Sequence, residues 1–496
     1  MTATTSQIAI GLLVALGLLG AQQSQAKPKP PTAAPVLSAP ALSAPALSAP
    51  DQAAILRDDA LKSNVAYQWV SDLTTRIGAR PAGSDKEKAA ANWAAGQLKA
   101  MGFDSAVVES FPYYPWVRGA NDSIEVTGPF PQKLVGVALG GSSAGTVEAE
   151  AALFDSWQAF QDSTNDVTGK IVVILQPMPR ASEGSGYGAM SGAIRWMGPV
   201  AAQKRGAAGF VLRSLSTDEH RFPHAGATNW QGTTGIPSMA ISSPDAETLS
   251  RILKMQRKGE AGPVRLKIAS GSVFPGLGTS VNVVAEIKGS EHPEEVVVVG
   301  GHLDSWDLGT GAIDDAAGHA IALAAAKNIL DHHLRPKRTI RLVLWGSEEM
   351  SQPEGFGSGG DAYAKAHTAE APNIIAAMEA DFGADKVYAA SLPASLDAGY
   401  AKTMAELLTP IGISIKRDSS SGGDSDTDVL YQLGVPCLTL NQDGYDYFDT
   451  HHTPDDVLER IDPRNLDQVV AAWSATLWMI AGTDVKFKRP EVKPVQ

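Results

Sequence analysis

At 496 residues the chain is longer than one hydrophobic core usually grows, so two domains plus appendages are expected. Asp and Glu outnumber Lys and Arg 54 to 41, a formal charge of -13, which argues against a nucleic-acid or anionic-membrane surface because those need basic patches. A single cysteine, Cys437, rules out an internal disulfide, so stability has to come from packing or from metal.

The chain opens on an apolar segment from Ile8 to Leu19, followed by Ser24 and Ala26 placed as a cleavage site would have them. This predicts a secretory signal over residues 1–26 and a periplasmic or secreted protein with no transmembrane span in the mature chain. The segment lacks a leading Lys or Arg, which leaves an uncleaved anchor as the alternative. Residues 27–50 repeat Leu-Ser-Ala-Pro-Ala, a Pro/Ala-rich linker too dense in proline for helix or sheet. Two helix-favouring stretches follow, "DQAAILRDDALKSNVAYQWVSDLTTRI" and "SDKEKAAANWAAGQLKAMG", separated by the turn "GARPAGS". Ser84 is placed as an N-cap with Glu87 completing a capping box, and Gly102 marks the helix end.

Between 119 and 275 the texture changes to short strands and helices joined by long Gly/Ser-rich loops such as "ASEGSGYGAMSG". In "DEHRFPHAGATNW", Pro223 between His220 and His224 argues against a helical ligand pair. The segment reads as a surface loop, with a lid over a cleft as the functional alternative. From "TSVNVVAEIKG" onward, continuous apolar runs alternate with helical ones, the pattern of a largely parallel sheet covered on both faces. Ligands of such sheets bind beyond the carboxyl ends of the strands.

Four strand ends in this last region carry metal-ligand side chains. "GGHLDSWDLGTGAIDD" offers His302, Asp304, Asp307, Asp314 and Asp315; "LWGSEEM" offers Glu348 and Glu349; "MEADFG" offers Glu379 and Asp381; "DTHHTPDD" offers His451, His452, Asp455 and Asp456. Any one of these is ordinary alone. Gathered at one edge, so many carboxylates would repel one another unless they face water or a cation holds them. Three carboxylates and two neutral imidazoles would suit two divalent ions.

Taken in this order, the motifs resemble the M28 family of dinuclear zinc exopeptidases. The spacing "GGHLDSWD…GAIDDAAG" and the inserted segment are most similar to its carboxypeptidase Q-like (plasma glutamate carboxypeptidase) branch. The resemblance implies an α/β fold: a three-layer αβα peptidase domain with a mostly parallel central sheet (residues 51–118 and 276–484), interrupted by a smaller β-rich protease-associated (PA) domain (119–275), and ending in a tail (485–496). It implies two Zn2+ ions, one on His302 and Asp381, the other on Glu349 and His452, with Asp314 bridging. Glu348 would be the general base and Asp304 would orient the His302 imidazole. His452 is chosen over His451 because the family's ligand histidine lies four residues before an acid, here Asp456; Asp315 is the rival bridge, and Asp307 reads as a polar turn residue.

The implied reaction is hydrolysis of short peptides or dipeptides with a free amino terminus by a metal-bridged hydroxide, formed when Glu348 takes a proton from the bridging water. The loop "SSSGGDSDTDVLYQLGVP" resembles the family's substrate wall, so Ser425 and Asp426 are candidate substrate contacts, with a plain Ser/Gly loop and helix-capping acids as the alternative. Mn2+ or Co2+ could replace zinc in such an N/O site. Glutamate-carboxypeptidase-type or glutaminyl-cyclase-like chemistry on the same fold, and a metal-free PA-domain binding protein, are the competing functions. A homodimer is left open.

Overall fold

The computed structural model describes residues 47–418 and 422–491. The expected signal over 1–26 and nearly all of the linker lie outside the described residues. The first helix, Ala49–Ala60, starts where the repeat ends: the Ser48 hydroxyl accepts the Asp51 N–H and Pro50 occupies the first turn, where a missing N–H costs nothing. A second helix, Val65–Arg76, follows after a break at which the Ser63 hydroxyl accepts the Val65 N–H, the local side-chain competition that ends helices. The next helix, Asp85–Ala100, is capped by Ser84 as expected, but the capping box is half formed. Glu87 turns its carboxylate to the Gly83 N–H and the Ser280 hydroxyl instead, tying the helix start to the central sheet.

The central sheet has five strands in the order Ser105–Tyr113, Gly278–Ile287, Arg338–Trp345, His292–His302, Ile374–Glu379. It is mixed: the first two pairings are antiparallel and the last two parallel. The antiparallel half has a topological cause, since Ser105–Tyr113 and Gly278–Ile287 pair as the two arms of one excursion whose loop is the whole segment between them. Strand alternation makes three layers. Val297, Val299, Leu342 and Leu344 face the core that includes the helices Ala317–Asp331 and Pro463–Ala481. Val296, Val298, Val343 and Trp345 face Tyr363 and Leu430 of the helices Gly359–Ala366 and Asp428–Gln432. Cys437 is buried in this second layer, as its apolar run "GVPCLTL" suggests. A three-stranded sheet (Val387–Pro393, Ser414–Asp418, Thr439–Gln442) extends the fold through a bridge between Ala377 and Cys437.

An eight-stranded sheet is built wholly from strands between Ser123 and Ser270. Its core of Ile171, Val173, Val211, Met239 and Ile241 packs on Leu249 and Ile252 of the helix Ser243–Arg257. The chain enters and leaves side by side, with Val117 and Val273 exchanging backbone hydrogen bonds. This sheet's loops close on the other part of the molecule through Arg180, which pairs with Asp446 and Asp449, and through the Ala225 N–H, which donates to the His452 carbonyl at 2.9 Å. No described helix is long and apolar enough to cross a membrane.

Candidate metal centre and catalytic cleft

The strands Arg338–Trp345, His292–His302 and Ile374–Glu379 run in parallel, with His302 level with Trp345 and Gly300 level with Glu379. Their carboxyl ends therefore open at one edge, and the turns beyond them deliver Glu348, Glu349 and Asp381 beside His302. Gly301 makes the approach possible: a Cβ there would lie 2.3 Å from the Asp315 carboxylate. That carboxylate accepts the N–H groups of His302 and Gly318, both at 2.9 Å. Asp315 thus holds backbone and does not face the centre, whereas Asp314 does.

Asp314 Oδ1 lies 3.1 Å from His302 Nε2 and Oδ2 lies 3.1 Å from His452 Nε2. Asp381 Oδ1 approaches His302 Nε2 at 3.5 Å, and Glu349 Oε2 approaches His452 Nε2 at 2.9 Å. Two donor groups result, His302/Asp314/Asp381 and Asp314/Glu349/His452, each with its ligand atoms within 4.8 Å of one another and sharing Asp314. Imidazole nitrogens with carboxylate oxygens are a zinc-type donor set. Glu349 Oε1 is buried with no hydrogen-bond partner among the described residues, an oxygen a cation would satisfy. These residues fit metal.

The electrostatics agree. Burial pushes the Asp381 carboxyl up to about 8, and holds Glu348 above and Glu349 well above the usual carboxylate range. Burial also drops His452 to about 4, so its imidazole is neutral at pH 7, the form that ligates metal. Asp314 and His302 shift the other way: against their burial, the imidazoles of His451, His302 and His452 hold the Asp314 carboxyl well below the usual range, and the carboxylates of Asp381, Asp304 and Asp314 hold His302 well above its own, so acids here ionise where a positive charge lies beside them, the place a metal cation would take. His452 itself sits at φ 59°, a left-handed conformation that a non-glycine residue adopts only when its surroundings over-determine it.

The remaining candidates take varied places. Asp304 does not present its carboxylate as the nearest partner of His302: Nδ1 of that imidazole is 3.0 Å from the Asp304 backbone oxygen and 3.6 Å from Oδ1. The Asp304 carboxylate instead accepts the N–H groups of Glu348 (3.0 Å) and Glu349 (3.3 Å), fixing the turn that carries both glutamates. Asp307 pairs with Arg118 outside the centre. Glu379 accepts from the backbone of Asp426 and Thr427, anchoring the loop that bears Ser425. Ser425 lines the cleft and its hydroxyl reaches Asp381 at 3.5 Å. Asp426 is buried and its carboxylate accepts the Gly360 N–H. Asp456 accepts the Ile313 N–H at 2.6 Å and so supports the Asp314 segment rather than the His452 ring. His451 stacks on His452 with ring centroids 3.6 Å apart. His220 is exposed beside Asp218, but His224 is fully buried under His451 and His452, which corrects the surface-loop expectation at that position.

Several contributors carry no signal in spacing. Arg80, in the turn "GARPAGS", is fully buried and donates to the carbonyls of Leu303, Thr310 and Gly311, clamping the loop between His302 and Asp314. Trp306 donates Nε1–H to Glu349 Oε2 at 2.5 Å. Such outer partners typically contribute 10- to 100-fold to metal affinity, so Trp306→Phe is expected to weaken the binding of a metal held by Glu349 by about that factor in a chelator-competition titration. Unchanged affinity would show that the indole does not tune Glu349.

The cleft over these donors has a volume of about 480 Å³ and is walled on one side by Tyr187, Arg195 and Trp196 from the segment carrying the eight-stranded sheet. Glu348 lies in its wall.

Comparison with known proteins agrees with this architecture. The sequence model of peptidase family M28 matches residues 282–477. The chain is 34% identical to carboxypeptidase Q of Bos taurus over 438 residues, 86% of this chain and 87% of that protein, and 33% identical to carboxypeptidase Q of Homo sapiens over the same shares. The crystal structure of a peptidase M28 precursor from Shewanella amazonensis superposes with a TM-score of 0.83 at 39% identity, covering 90% of this chain and 99% of that one. A zinc aminopeptidase from Bacillus subtilis shares the fold, with a TM-score of 0.59 at 19% identity over 87% of this chain and 98% of that one.

Proposed function

The chain belongs to peptidase family M28 and is a metallopeptidase, and we propose that it is a periplasmic or secreted di-zinc exopeptidase acting on dipeptides and short peptides with a free amino terminus. The observation that carries this reading is the pair of donor groups sharing Asp314 at the floor of one cleft. His302 and Asp381 would hold one zinc, Glu349 and His452 the other, and Asp314 both. The strands between Ser123 and Ser270 would form the PA-like insert, with the peptidase domain on either side of it. The relatives' name, carboxypeptidase Q, supports an exopeptidase. The metal-free binding alternative predicts lost donors, and all five are present.

When bound, zinc acidifies a water molecule and polarises the scissile carbonyl. The chain's own residues do the rest. Glu348 is anchored through its backbone to Asp304, faces the cleft, and has its carboxyl raised by burial, so it is suited to take a proton from water and return it to the leaving amine. The Asp304 and Asp456 carboxylates, each spent on backbone N–H groups, hold the turns that aim Glu348, Glu349 and Asp314. Ser425 would contact the substrate.

A panel of dipeptides, amino-acid anilides and N-blocked peptides, assayed with and without a chelator, tests the reading. Chelator-sensitive cleavage of the free-amine substrates is expected. Preference for N-blocked peptides, or indifference to the chelator, would refute it.

A further inference from the structure

His302 stands where the central sheet loses a strand. Gly300 accepts the Ala380 N–H at 3.0 Å, but the chain then turns to bring Asp381 to the centre, and strand pairing on that side ends with Gly300 level with Glu379. Alternate residues of a strand direct their backbone groups to the same side, so the N–H and C=O of His302 point to where that strand has departed. Left unpaired in a buried place, both groups would be costly.

Two side chains take the strand's place. The Asp315 carboxylate accepts the His302 N–H at 2.9 Å, and His319 Nδ1 stands 2.8 Å from the His302 carbonyl, which can only accept, so Nδ1 carries the hydrogen and donates it. His319 is fully buried in the helix Ala317–Asp331 among Ala316, Ala317, Ala320, Ile321 and Leu323. Its Nε2 has no hydrogen-bond partner among the described residues, and the Trp69 ring stands edge-on with centroids 6.2 Å apart. An apolar side chain would fill such a core without leaving an unmatched polar atom; what the imidazole adds is the single bond from Nδ1. Glycine at 318 lets the helix begin this close, because a Cβ there would run into the Ala380 carbonyl oxygen and the Asp315 carboxylate.

We propose that His319 is a positioning residue of the metal centre, standing in for the missing strand and fixing the peptide that carries the His302 ligand. The inference rests on the reading of His302 and Asp381 as ligands of one zinc. The ring of His302 is already oriented by the Asp304 backbone oxygen 3.0 Å from Nδ1, so with its own carbonyl and N–H held as well it is fixed at three points. Of the five donors, His302 is the one that His319 hydrogen-bonds among the described residues, so the effect belongs to one of the two ions.

His319→Leu keeps the bulk of the side chain and removes the hydrogen, whereas His319→Asn offers an amide N–H in its place. In a chelator-competition titration His319→Leu is expected to weaken one zinc by about 10- to 100-fold, the usual size of an outer partner's contribution, and to leave the other unchanged. The absorption spectrum of the cobalt-loaded protein should change in His319→Leu and return in His319→Asn, which a general loss of stability would not produce. His302→Ala identifies the ion concerned. If His302→Ala still binds two ions as tightly as the unmodified protein, the di-zinc reading fails; if it loses one ion while His319→Leu binds both normally, that reading stands and the role of His319 is overturned. Equal weakening of both ions in His319→Leu, with His319→Asn no better, overturns it too. Nitrogen NMR of the unmodified, histidine-labelled protein needs no variant to fold: a hydrogen on His319 Nδ1 is expected, and a bare Nδ1 would refute the proposal.

Discussion

Glu348→Gln is expected to keep its full complement of zinc and lose at least ~10²-fold in turnover, the low end of what a positioned general base contributes. The substitution is isosteric, and Glu348 belongs to neither donor group. Its hydrogen bond to Asp304 runs from the backbone, so the side-chain change leaves the turn as it is. What disappears is the proton acceptor in the cleft wall. Steady-state turnover measured beside zinc content reads the two effects separately, and equal activity in the variant would remove Glu348 from the role.

Asp314→Ala should do more damage by a different route. Asp314 is the one side chain common to both donor groups, with an oxygen 3.1 Å from an imidazole on each side. Its loss unties both sites at once, so zinc content should fall below one ion per chain and activity should drop by more than the ~10²-fold that an outer partner accounts for. Asp315→Asn is the informative contrast. Asp315 holds the N–H groups of His302 and Gly318, and its alteration should lower the melting temperature while the donor atoms survive. If Asp315→Asn rather than Asp314→Ala emptied the centre, the assignment of the bridge would be reversed.

Part of the donor set is legible in the sequence because His302, Glu349 and Asp381 lie at or just beyond the ends of parallel strands, where the sheet must bring its loops together, whereas Asp314 comes after a long loop and His452 after the short helix Tyr447–Thr450. The strand-end motifs offered His302, Glu348 and Glu349, Glu379 and Asp381, and His451 and His452; the choice of His302, Glu349, Asp381 and His452 among them came from the resemblance to family M28. The choice between Asp314 and Asp315 was not legible from the residues, since two adjacent carboxylates differ only in which way the backbone turns them. Arg195 went unnoticed and His224 was read as part of a surface loop for another reason. They reach the centre from a separate sheet, over a hundred positions before His452 in the chain, and neither follows a helical or strand period. Asp304 shows a third kind of limit: its spacing from His302 suggested an imidazole partner, but two backbone N–H groups compete for the same oxygens and lie closer. Likewise the mixed character of the central sheet follows from where the insert interrupts the chain, which no local pattern encodes.

The count of zinc ions in the purified, fully loaded protein, by elemental mass spectrometry against protein concentration, tests the central claim most directly. Two per chain, both removed by a chelator with loss of hydrolysis and both restored on adding zinc, is the expected result. A protein that hydrolyses dipeptides with no stoichiometric metal, or one that binds a single ion with Asp314 dispensable, would contradict it.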